Sequence, residues 1–100
     1  MSVSDGLAIV LKTNRSEVLR IAAKHGAHNV RLFGSVARGE ARSDSDLDLL
    51  VEMETGKSLF DIARMAVALE DLLQCKVDIA EQRSLHWYIR DHILEEAVPL

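Results

Sequence analysis

Cysteine, proline and aromatic residues are scarce in this chain of 100 residues, and each shortage narrows what it can be. A single cysteine, Cys75, leaves no intramolecular disulfide to form. It fits a reducing compartment, so the chain is read as cytoplasmic and Cys75 as a small buried hydrophobe. One proline and five glycines are too few for a disordered or linker-rich segment. Basic residues are outnumbered 12 to 16, for a net charge of −4, which disfavours a surface built to grip a nucleic-acid backbone directly. No apolar run approaches the roughly 18–20 residues that a membrane span requires. The first residues, Met1 to Asp5, lack the basic start of a secretory signal. What is present is the 48% hydrophobic content of an ordinary globular chain. That is enough for one core and not for two, so residues 1–100 are expected to form one domain.

Residues 5–12 predict a short helix with Leu7, Val10 and Leu11 on one side. Asn14 and Glu17 have the spacing of a capping box, opening a helix to about His25 that turns Val18, Ile21 and Ala22 inward and stops at Gly26. His28 to Phe33 reads as a strand, Ser35 to Gly39 as one helical turn, and 40–45 as a polar loop. Leu47 to Glu52 is a second strand, apolar enough to be central and covered on both faces. After the Thr55-Gly56-Lys57 turn, Ser58 with Asp61 caps a helix to about Gln74. Its buried stripe is Ile62, Ala66, Leu69 and Leu73, with Asp61, Arg64 and Asp71 facing water. Lys76 to Ala80 is a third strand. Ser84 opens a last helix to about Glu96 with Leu85, Ile89 and Ile93 inward, and 98–100 has the look of an edge strand. The fold class is therefore α/β (α+β): a small mixed sheet flanked by helices, strands one and two antiparallel, strands two and three joined by a parallel crossover.

The informative stretch is Gly34-Ser35, ten residues, then Asp46-Leu47-Asp48. Side chains alternate along a strand, so Asp46 and Asp48 share one face while Leu47, Leu49 and Val51 take the other. In Val77-Asp78-Ile79, the apolar neighbours face the core and put Asp78 on the polar side. If strands two and three are neighbours, three carboxylates converge. Such a set suits Mg²⁺, which prefers oxygen ligands and keeps room for phosphates; two such ions can clamp the entering and leaving oxygens of an in-line displacement. Gly34 allows close backbone approach to a phosphate, Ser35 adds a hydroxyl at a helix start, and Arg38 lies one turn later. Arg42 is a weaker phosphate candidate.

Rival readings fail on spacing. An EF-hand loop beginning at Asp44 needs Gly and Glu where Leu49 and Thr55 stand. A P-loop beginning at Gly34 needs Lys-Ser/Thr where Glu40-Ala41 stands. A polar loop with aspartates as turn formers explains Asp44 but not Asp48, whose charge inside an apolar strand is costly.

This combination of Gly34-Ser35, Arg38-Gly39, Ser45, Asp46-x-Asp48 and a downstream Asp78 resembles the MNT-type minimal nucleotidyltransferases of the DNA polymerase β superfamily, over nearly the whole chain. The resemblance implies Mg²⁺ dependence and transfer of a nucleoside monophosphate with release of pyrophosphate. It implies that Asp46 and Asp48 hold metal ions, that Asp78 completes the metal site and helps activate the acceptor, and that Gly34 and Ser35 hold the triphosphate. It further implies ATP as donor, a HEPN-domain ribonuclease toxin as partner in a hetero-oligomer, and a role as its antitoxin through transfer of AMP to a partner hydroxyl. Two alternatives stay open: neutralising the partner by binding alone, and modifying a small molecule as aminoglycoside-type enzymes do. His25, His28, His86 and His92 form no metal pattern with Cys75. Trp87 and Tyr88 are read as packing or interface residues, and Arg90, Asp91, Glu95 and Glu96 as a solvated helix face.

Overall fold

A computed structural model describes residues 3–40 and 46–100. Helix α1 (Val3–Thr13) precedes α2 (Arg15–Lys24), strand β1 (Ala27–Phe33), a single turn α3 (Gly34–Ala37), strand β2 (Leu47–Met53), helix α4 (Leu59–Leu73), strand β3 (Val77–Glu81), a 3-10 turn (Gln82–Ser84), helix α5 (Trp87–Glu96) and strand β4 (Val98–Pro99). The sheet order is β3-β2-β1-β4. Strand β1 runs antiparallel to β2 and β4, and β2 runs parallel to β3. The mixed sheet and both strand senses are thus as the sequence predicts.

Strand β2 is central, and its burial explains its composition. Leu47, Leu49, Val51 and Met53 face a core completed by Val18 and Ile21 of α2, Val30 and Leu32 of β1, Met65, Leu69 and Leu73 of α4, and Val77 of β3. Leu50, on the opposite face, is fully buried as well. It lies in register between Arg31 and Ala80, and the Arg31 guanidinium donates to the Gln82 side chain, linking β1 to the turn after β3.

Ser58 caps α4 as expected: its hydroxyl accepts from Phe60 N–H, and the Asp61 carboxylate accepts from Ser58 N–H at 2.8 Å. Left-handed Gln74 (φ 55°) ends the helix. Gly26, at φ 84°, turns the chain out of α2.

Several local expectations are corrected. Asn14 makes no side-chain cap; its amide donates back to Val10 O at 2.8 Å, and Glu17 pairs with Arg20 instead. The buried line of α4 passes through Met65 rather than Ala66, because Ile62, Met65, Leu69 and Leu73 follow one helical stripe. The last helix opens at Trp87, with Ser84 left in the preceding 3-10 turn. No residue of α5 is buried, and Ile89 is exposed rather than inward.

Candidate active site

Asp48 and Asp78 are register partners on the adjoining parallel strands β2 and β3. Asp46 sits one residue ahead of β2 rather than within it, tethered by the Leu47 N–H to Lys76 O bond at 2.9 Å, with the Lys76 ammonium 3.9 Å from its carboxylate. Burial pushes the Asp48 carboxyl up to about 6, and the negative charges of Asp78 and Asp46 push in the same direction against the pull of Arg38. The charges of Asp78 and Asp46 thus reach the Asp48 carboxyl. Asp78 is exposed, at the open edge of the sheet. Among the described residues, no three acidic, histidine or cysteine side chains are already gathered in a metal-holding cluster. The donors that face one another are nevertheless all carboxylate oxygens, which is the chemistry a hard divalent cation requires.

The Gly34 turn presses directly on this group. Gly34 has φ 76°, a conformation that side chains disfavour, and a Cβ there would lie 2.1 Å from Asp48 Oδ2. Glycine is required twice over, by backbone and by space. Ser35 is half-buried in α3, directly after Gly34. Arg38 follows one turn later, and its guanidinium reaches Glu40 at 2.9 Å and Glu96 at 2.8 Å.

Glu96 is the residue that sequence reading missed. Far from belonging to a solvated face, its side chain is only 13% exposed, and its Oε1 accepts from Gly34 N–H at 2.6 Å and from Arg38 Nη1. Its charge is a further influence raising Asp48. The signal lay in periodicity: Glu96 is three residues past Ile93, so it shares the inward side of the helix, where a carboxylate needs a partner. His92, set aside earlier, stands 3.5 Å from Glu96. Arg42, Asp44 and Ser45 lie outside the described residues.

Residues 15–100 match the family described as the nucleotidyltransferase domain. A relative from Methanocaldococcus jannaschii named protein adenylyltransferase is 42% identical over 84 residues, 84% of this chain and 90% of its own length. Protein adenylyltransferase MntA of Thermococcus cleftensis is 39% identical over 75 residues, 75% of this chain and 76% of its own length. A solved structure described as a minimal nucleotidyltransferase superposes with a TM-score of 0.84 at 52% identity, over all of this chain and 97% of that one. A second, described as a toxin-antitoxin with AMP-PNP, has a TM-score of 0.74 at 19% identity, covering 86% of this chain and 71% of that one; it supports the fold. A mixed four-stranded sheet, a glycine turn set against an aspartate pair and this match over 15–100 lead to one conclusion: the chain belongs to the nucleotidyltransferase domain family, in its minimal form.

Proposed function

We propose that this protein is a Mg²⁺-dependent nucleotidyltransferase that moves AMP from ATP to a hydroxyl on a partner protein, a HEPN-domain ribonuclease toxin for which it is the antitoxin. The observation that carries this reading is the contact of Gly34 with the Asp48 carboxylate, because it sets a phosphate-holding turn against the carboxylates that would hold metal. The relatives named protein adenylyltransferase support a protein acceptor, and the toxin-antitoxin neighbour supports the partner and the nucleotide. Asp46, Asp48 and Asp78 would hold Mg²⁺, two ions in this reading. When bound, the metal neutralises phosphate charge and favours in-line displacement.

In this reading the chain's own residues hold the donor at one end and receive the acceptor at the other. Gly34 N–H, the Ser35 hydroxyl and Arg38 bind the triphosphate. The acceptor oxygen forms a bond to the α-phosphorus, the bond to the β-phosphate oxygen breaks, and pyrophosphate leaves. The hydroxyl proton passes to the Asp78 carboxylate, whose exposed position at the sheet edge suits an acceptor brought in by another protein. The net charge of −4 leaves no electrostatic hold for a polynucleotide. Among the described residues no helix is long and apolar enough to cross a membrane. The free Cys75 fits the cytoplasmic setting of this reading.

The test is co-expression with the partner. The unaltered chain is expected to add one AMP to the partner, seen by intact mass, and to relieve toxicity; the Asp46→Asn/Asp48→Asn variant is expected to do neither. Relief by both, with no mass change on the partner in either, would replace the enzymatic account with neutralisation by binding.

A further inference from the structure

We propose that Glu96 is an internal competitor for the donor nucleotide: its carboxylate occupies the place of a phosphate, and the nucleotide must displace it. The inference rests on the phosphate-holding role given above to Gly34 and Arg38. Glu96 Oε1 takes a 2.6 Å hydrogen bond from Gly34 N–H and a 2.8 Å contact from Arg38 Nη1, the same two donors. A carboxylate oxygen held between a backbone amide and a guanidinium is in the surroundings a phosphate oxygen seeks. Both anions cannot hold these donors together, and the Asp48 carboxylate at Gly34 leaves no free space on that side.

Displacement is affordable because of how α5 is seated. The helix buries none of its residues, and Trp87 and Tyr88 at its start are 84% and 66% exposed. Glu96 is its most enclosed polar anchor, holding the last turn to α3 across 62 residues of sequence. Releasing that anchor costs little apolar burial. Nucleotide affinity is then reduced by the fraction of molecules in which the clamp is closed. The binding of phosphate and the seating of the Glu96 carboxylate become mutually exclusive, so nucleotide entry loosens the last turn of α5 while β4 stays paired with β1.

Two measurements test this on the full chain with Mg²⁺ and a non-hydrolysable ATP analogue. In calorimetry, Glu96→Gln is expected to bind at least about fivefold more tightly, since a neutral amide competes less well than a charged acceptor for these donors. That gain is expected to shrink in an Arg38→Ala background, whereas a general charge effect would persist there. In hydrogen exchange of the unaltered chain, the analogue is expected to slow the amides of 34–38 and to speed those of 95–97. A Glu96→Gln affinity equal to or weaker than that of the unaltered chain, a gain undiminished by Arg38→Ala, or slower exchange at 95–97 on binding would overturn the inference alone. Failure of both proteins to bind the analogue would instead refute the phosphate reading of the turn, and the inference with it. The exchange measurement needs no variant, so a folding defect in Glu96→Gln would not mask the result.

Discussion

The two halves of the candidate site are built by different means. Asp48 and Asp78 are placed by the β2–β3 backbone ladder, where every residue from Leu47 to Val51 is paired with one from Val77 to Glu81. Gly34 and Arg38 lie at the single turn α3, seated by the buried Val36 and tied by side-chain carboxylates: Glu96, at the end of the shallow helix α5, accepts from both, and Glu40 pairs with Arg38. A ladder fixes positions whatever the side chains are. Side-chain contacts fix them only while their anchors stay in place. The carboxylate half is thus rigid by construction and the phosphate half adjustable.

The contrast can be broken first at the chemistry. Asp48→Asn is expected to cut AMP transfer by about a thousandfold or more, read by radiolabel on the partner, while leaving the fold intact. Next comes packing. Leu49→Ala, fully buried beneath the ladder, is expected to cost about 2–5 kcal/mol in urea unfolding. Leu94→Ala, half-buried on α5, is expected to cost under about 1.5 kcal/mol by the same measurement. Equal costs would erase the distinction between the halves. Gly34→Ala sits where they meet: left-handed strain plus the collision with Asp48 is expected to cost about 2–4 kcal/mol.

The smallest effect is in pH. The Asp48 carboxyl rises from an ordinary 3.8 to about 6 in the fold, so its ionisation opposes folding. Its favourable contribution is complete below about pH 4 and is lost as pH rises through about 6. Asp48→Asn cannot ionise, so in metal-free buffer its melting temperature is expected to exceed that of the unaltered chain by a few degrees at pH 8. The gap is expected to close toward pH 4. The carboxylate keeps part of its hydration, which holds the effect down. A gap that is constant with pH would mean that Asp48 is not held in its ionised state at a cost.

What was legible in the sequence follows the same division. Strand order around β2, the antiparallel and parallel pairings, the Ser58 cap and the shared side of Asp48 and Asp78 come from local rules, period two in strands and fixed offsets at helix starts. The clamp of Glu96 on Gly34 depends on how a shallow helix comes to rest, and no spacing between the two residues encodes it. Asn14 shows a local rule losing to context: its N–H and its side-chain amide both donate back to Val10 O, which ties the residue to the end of α1 rather than to the start of α2. Met65 shows the reverse, a stripe correctly phased but one position off in its middle.

Gly34 carries a consequence for mutational data. A saturation scan scored only on whether the protein folds would show position 34 as intolerant as the centre of the core, though it is only half-buried and has no side chain to lose. Burial would not predict that row of the map; the carboxylate of Asp48, filling the space where every other residue begins, would.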